Sequence, residues 1–157
     1  MPIARPAARI EIAAPLAVVW AVMLDTDAYG EWNPFVRDAR TEQPPRVGAP
    51  IRLEVAWADG LTTASPERIT ALEPPHTDAD GVERALLSYV YEGWPARLGL
   101  VRGTRHQRLA QEPGGATSYA TVEEFSGPLV RLAGPARVAD GFRRHAEALR
   151  ARAESLA

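Results

Sequence analysis

The chain has 157 residues, 46% hydrophobic and 24% charged, with a formal charge of −2 and a pI near 5.9. That length suits one domain, expected over residues 1–157, and no apolar run approaches the roughly 20 residues of a bilayer span, so a soluble protein is expected. There is no cysteine and no lysine among the 18 basic residues, which excludes disulfides, thiolate catalysis, cysteine-ligated zinc and a Schiff-base lysine, and the slight acidity offers no footprint for nucleic acid or anionic membrane.

Met1-Pro2-Ile3-Ala4-Arg5-Pro6 contains two prolines and no apolar stretch of the secretory kind, so a cytoplasmic location is expected. The arginine and alanine bias reads as a G+C-rich bacterial genome. Ala8–Ala13 predicts a first strand. Pro15 suits the first turn of a helix, where its missing N–H is harmless, and Leu16, Val19, Trp20 and Met23 or Leu24 then recur at helical spacing. Asp25 and Asp27 follow at the helix C-terminus, where negative charge is unfavourable, so they are expected to cap a second helical turn over Ala28–Glu31. Pro34 ends that turn, and Asn33 before it reads as a turn residue tying the segment to a neighbouring strand.

Phe35–Glu42 predicts a second strand. Ile51, Leu53, Val55 and Trp57 alternate with Arg52, Glu54 and Ala56 in the period-2 pattern of a half-buried third strand. Asp59-Gly60 marks a turn, Pro66–Leu72 a fourth strand ended by Pro74-Pro75, and Arg84–Glu92 a fifth with Leu87, Tyr89 and Tyr91 on one face. Gly103–Glu112 and Thr117–Ser126, joined by Pro113-Gly114-Gly115-Ala116, read as an antiparallel hairpin. Beyond Gly127-Pro128 the period becomes helical through Val138, Phe142, His145 or Ala146, and Leu149, with Gly141 as a weak point of roughly 1 kcal/mol against Ala. The order predicts an α+β fold in which a curved antiparallel sheet of about six to seven strands surrounds a long C-terminal helix, with two short helices after strand 1.

The opening, with Tyr29-Gly30-Glu31-Trp32-Asn33-Pro34-Phe35 after the acidic pair, resembles that of the SRPBCC (START-like, helix-grip) superfamily, especially its polyketide cyclase/dehydrase-like branch. Gly103-Thr104-Arg105-His106-Gln107-Arg108-Leu109 is similar to the family's Gly-x-His-x-Phe-x-Leu strand. Val122-Glu123-Glu124-Phe125-Ser126-Gly127 is similar to its Glu-x-Phe-x-Gly turn out of the sheet, and Gly141–Leu149 to its last helix. The resemblance implies a cavity for a small apolar or amphiphilic molecule between sheet and helix, with no cofactor and no membrane insertion. It leaves the oligomeric state open. Aligning Leu109 with the family leucine puts Arg105 and Gln107 where His and Phe usually stand, which implies a ligand with a polar or acidic group.

Pockets of this kind are lined by aromatic and apolar groups with a few polar ones. Trp32, Phe35, Trp57, Tyr89, Tyr119 and Phe142 are the aromatic residues expected at the ligand, or equally in plain core. Arg105, Gln107, Thr121 and Glu123 share strand faces with Leu109 and Phe125, so Arg105 and Glu123 are expected as neighbours; they form either a ligand-binding, proton-accepting pair or a structural ion pair. His76, His106 and His145 show no i, i+4 pair and no His-x-Glu spacing, so no metal is expected, and solvated or capping roles are the default. No Gly-x-Ser-x-Gly or phosphate-binding glycine loop occurs. Three functions follow: a small-molecule binder, a cyclase or dehydratase using Arg105 and Glu123, or a protein-interaction module of toxin-antitoxin or co-chaperone type with a filled interior and an exposed apolar patch.

Overall fold

A computed structural model describes residues 2–157. Its elements run β1 (Ile3–Ala4), β2 (Ala7–Ile12), α1 (Leu16–Leu24), a 3₁₀ turn (Thr26–Ala28), α2 (Tyr29–Trp32), β3 (Val36–Arg40), β4 (Pro50–Ala56), β5 (Thr62–Thr77), β6 (Glu83–Tyr91), α3 (Trp94–Arg97), β7 (Arg102–Gln111), β8 (Thr117–Ser126), a second 3₁₀ turn (Val130–Ala133) and α4 (Pro135–Leu156). Every strand pairing is antiparallel, in the order β1-β8-β7-β6-β5-β4-β3, with β2 beside β1 on the outer edge of β8. Among the described residues the sheet has eight strands, one more than the seven read from the sequence; the added one is the short β1, and β5 is longer than expected. This is the helix-grip arrangement, with α4 laid across the concave face and packed on β2 and α1. Among the described residues no helix is long and apolar enough to cross a membrane.

Alternation decides which face is inside. Ile51, Leu53 and Val55 of β4, Leu87 and Tyr89 of β6, and Leu109, Tyr119 and Phe125 of the last hairpin are buried, while Arg52, Glu54 and Arg108 point to solvent. The inner face of α4 meets them with Val138, Phe142, Ala146, Leu149 and Ala153. Arg144 anchors this helix from its flank, donating to the carbonyls of Pro34 at 3.2 Å and Ala56 at 3.0 Å.

Several local expectations change. Pro74-Pro75 does not end β5, which continues to Thr77, because both prolines fall in a register shift between Glu73 and His76 where no ladder N–H is required. Asp25 and Asp27 cap nothing through their side chains: neither the 3₁₀ turn nor α2 has a side-chain cap bond. Asn33 instead holds that corner. Its Oδ1 accepts from the backbone N–H groups of Phe35 at 3.0 Å and Val36 at 2.9 Å, starting β3.

Gly141 is no weak point. A Cβ built there would lie 2.1 Å from Phe35 Cε1, so the missing side chain is what admits the Phe35 ring against the helix backbone. Helix propensity alone predicts that Gly141→Ala stabilises by about 1 kcal/mol, whereas overpacking in a filled core costs about 1–3 kcal/mol. The second effect wins here because the obstacle is a ring already locked against Trp57 and Phe142 at centroid distances of 5.6 and 5.8 Å. Gly141→Ala is therefore expected to lower the chemical-denaturation midpoint; a raised midpoint would show that Phe35 moves freely.

Candidate functional site

Between the concave sheet and the first half of α4 lies a cavity of about 340 Å³. Phe142 and Val138 form its roof, Phe35, Val55 and Trp57 one side, and Trp94 on α3, Leu132 on the second 3₁₀ turn and Leu129 just before that turn its mouth. Its floor is polar. Tyr89, Arg105 and Glu123 stand in one row across β6, β7 and β8, each opposite the next in register, and Glu67 projects from β5 one row along, opposite Tyr91. Gly103 opens the floor beside them: a Cβ there would meet Phe125 Cε1 at 2.9 Å and Glu123 Cδ at 3.5 Å.

Arg105 is 2% exposed, and its hydrogen-bonding capacity is largely spent inside the protein. Nε donates to Thr121 Oγ1 at 2.9 Å, Nη1 to the Tyr89 hydroxyl at 3.1 Å and Nη2 to the Tyr119 hydroxyl at 3.3 Å. The guanidinium carbon also sits 4.2 Å from the centre of the Phe142 ring, a cation–π contact. Burial opposes the charge, but Tyr89, Tyr119, Glu123 and Glu67 outweigh it and keep the group protonated. Although Arg105 lies opposite Glu123, it takes part in no ion pair among the described residues; those bridges join other, more exposed side chains.

The two carboxylates are therefore buried without direct cationic partners. Glu67, 7% exposed, accepts from Ser65 Oγ at 3.1 Å, while Oε2 of Glu123 has no hydrogen-bond partner among the described residues. Burial first, and then the neighbouring Glu123 charge, pushes the Glu67 carboxyl up to about 8, with Arg105 opposing. Burial likewise lifts Glu123 to about 7 against the pull of Arg105. Near neutrality the pair holds an exchangeable proton. Tyr89 adds a second donor: its hydroxyl accepts from Arg105 and from Gln107 Nε2, at 3.1 and 3.3 Å, so its own proton is left for another acceptor.

Of the nine residues expected at the ligand, Phe35, Trp57, Tyr89, Arg105, Glu123 and Phe142 line the cavity, and Trp32, Gln107 and Tyr119 do not. Gln107 and Tyr119 share the inward face but lie further along their strands, where α4 closes directly on the sheet and His145 stacks over Tyr119 at a centroid distance of 6.1 Å. They serve as second-layer support: Tyr119 donates to Gln107 Oε1 at 2.8 Å. Trp32 packs edge-on against Tyr29 and His145, on the far side of that plug. His145 is neither solvated nor capping. It is 1% exposed, and its Nδ1 faces donors on Asn33 at 3.3 Å and Arg105 at 3.5 Å, so the proton of the neutral ring sits on Nε2. Burial and the Arg105 charge hold its pKa well below the usual histidine value.

Glu67 was missed. In Ser65-Pro66-Glu67-Arg68-Ile69 it shares a face with the buried Ile69, and that period-2 link is the signal that could have found it. Trp94, Leu132 and Arg137 at the mouth were also missed; Arg137 stacks 4.0 Å over the Trp57 ring.

A family model described as polyketide cyclase / dehydrase and lipid transport matches residues 5–154. Among curated proteins, none has a sequence matching this chain. Among solved structures, the chain is similar to the Zhui aromatase/cyclase from Streptomyces sp. R1128, with a TM-score of 0.72 at 19% identity, covering 98% of this chain and 94% of that one. A hypothetical protein from Helicobacter pylori gives 0.72 at 11% identity over 96% and 88% of the two chains. Norcoclaurine synthase from Thalictrum flavum, in complex with dopamine and hydroxybenzaldehyde, gives 0.63 at 12% identity over 96% and 86%. At these identities the solved structures establish a shared fold.

Proposed function

Since the chain belongs to the polyketide cyclase/dehydrase and lipid transport family of the SRPBCC superfamily, we propose that it binds a small, mostly apolar molecule in the cavity between sheet and α4. The observation that carries this reading is the cavity itself: about 340 Å³ of space walled largely by aromatic and aliphatic side chains, with a polar floor and Arg137 at the mouth. A plain core would be filled there, and an interaction module would not need the space. A thermal-shift panel of aromatic ketones, fatty acids and sterol-like compounds is expected to find a concentration-dependent rise in Tm. Val55→Phe, which fills the cavity from β4, should abolish it. A rise that survives this substitution would put the ligand elsewhere.

The buried carboxylates favour a second reading, catalysis on a carbonyl compound such as an aromatic polyketide. One ionised carboxylate would take a proton from a carbon next to the carbonyl. The protonated partner would give its proton to a departing hydroxyl, so that water is lost, while the Tyr89 hydroxyl polarises the carbonyl oxygen. The similarity to an aromatase/cyclase supports this only through the fold. Under this reading Glu123→Gln should abolish turnover of an aromatic polyketide found by the panel and leave its affinity intact; equal loss of both counts against catalysis.

A further inference from the structure

The cavity floor has a charge imbalance, and the cavity's other arginine, Arg137, is stacked on Trp57 at the mouth. Two carboxylates face one arginine, and that arginine has already given Nε–H to Thr121, one Nη1–H to Tyr89 and its Nη2–H groups to Tyr119 and His145 Nδ1, with its face against Phe142. Its fork is turned to the protein. Among the described residues, Oε2 of Glu123, a residue 9% exposed, has no partner, and Glu67 receives a hydrogen bond only from Ser65. No third histidine, aspartate or glutamate joins them to make a metal cage among the described residues. Buried acceptors without donors require a donor, and buried negative charge requires positive charge. Around them stand aromatic rings, among them Phe35, Trp57, Tyr91 and Phe125, whose faces favour cations.

We propose that the ligand's polar head is a protonated amine, seated between Glu67 and Glu123 with its apolar body along the aromatic walls. This deepens the binding reading and rests on it. An ammonium brings up to three donors and one positive charge, which match the free carboxylate oxygens and the uncompensated charge; a carboxylate seated on this floor would add a third anion beside an arginine already engaged, while Arg137, over Trp57, belongs to the mouth. In the empty cavity a proton takes the amine's place, consistent with the upward shift of both carboxyls. The other groups facing the pair leave this exchange undisturbed. Arg105 stays charged, Tyr89 stays protonated, His145 stays neutral behind the floor, and Arg137 is held over Trp57 at the mouth. Tyr91, whose pKa is raised by its burial and by Glu67, also stays protonated. Amine binding therefore displaces a proton and strengthens as pH rises.

The test uses three probes with one skeleton, naphthylethylamine, naphthylethanol and naphthylacetate, titrated calorimetrically into the full chain. At about pH 8 the amine is expected to bind at least about tenfold more tightly than the alcohol, with the acid weakest. Between about pH 8 and pH 6 the amine should weaken while remaining protonated itself, and the alcohol should not change. Two buffers of different ionisation enthalpy should reveal release of about one proton per amine bound. Glu67→Gln combined with Glu123→Gln, isosteric and uncharged, should bring the amine to within about twofold of the alcohol. If the alcohol or the acid binds as tightly as the amine, or the preference survives the double substitution or lacks the pH dependence, the amine assignment is overturned and the cavity reading stands. If none of the three binds and methylnaphthalene gives no thermal shift, both fall.

Discussion

Arg105→Ala is expected to lower Tm on the order of 10 °C, from a loss of about 3–5 kcal/mol at roughly 2–4 °C per kcal/mol for a chain of this size. The loss has three sources. The hydroxyls of Thr121 and Tyr119 lose their donor and that of Tyr89 one of its two, the Phe142 ring loses its cation, and Glu67 and Glu123 lose the nearby charge that pulls their pKa values down. Arg105→Lys separates charge from shape. A single ammonium keeps the field at the carboxylates but cannot reach three hydroxyls in different directions, so it is expected to recover only part of the loss. An unchanged Tm for Arg105→Ala would show that solvent replaces the guanidinium at no cost, and that the floor is wetter than its burial implies.

Glu67→Gln should act in the opposite direction, by an amount that grows as pH rises from about 4.5 to about 8. The Glu67 carboxyl ordinarily titrates near 4.5 and is raised to about 8 in the folded chain. Between those values the folded state holds a proton that the unfolded state has released, so folding stability falls as pH rises. The associated stability is fully present below about pH 4.5 and lost through about pH 8, at up to roughly 1.4 kcal/mol per pH unit. Gln cannot ionise, so the variant should match the parent at about pH 4 and exceed it by several degrees in Tm at about pH 9. His145 has the opposite sign. Its depressed pKa means stability present above the usual histidine value of 6.5 and lost as pH falls below it. The parent should thus be most stable between its acid and alkaline limbs, and Glu67→Gln should flatten only the alkaline one. A Tm profile identical for the two proteins at alkaline pH would mean that Glu67 is ionised and solvated in the fold.

Local sequence pattern carried the fold a long way. The period-2 runs of Ile51–Val55 and Leu87–Tyr91, the Pro-Gly-Gly-Ala connection of the last hairpin and the helical spacing from Val138 to Leu149 place nearly every element. The hairpin even places Arg105 opposite Glu123, since a short loop between two alternating strands leaves little freedom of register. What these patterns cannot give is depth along a face. Gln107 and Tyr119 point the same way as Arg105, yet they lie beneath His145 where the helix touches the sheet, while Arg105 lies where the two surfaces part. Glu67 illustrates the same gap. Its neighbours Ser65, Pro66 and Arg68 look like a solvated strand, and only its period-2 link to the buried Ile69 marks it as inward. Gly141 was misread for a related reason, because propensity describes a helix alone and Phe35 comes from more than a hundred residues away in the chain.

The most direct test of the central claim, that the cavity exists to hold a small molecule, is the native mass spectrum of the protein as purified, followed by denaturing extraction. The expected result is an added mass that denaturation releases and that the cavity-filling Val55→Phe protein lacks. A bare-chain mass for the parent, together with no compound that raises its Tm in the panel, would contradict the claim.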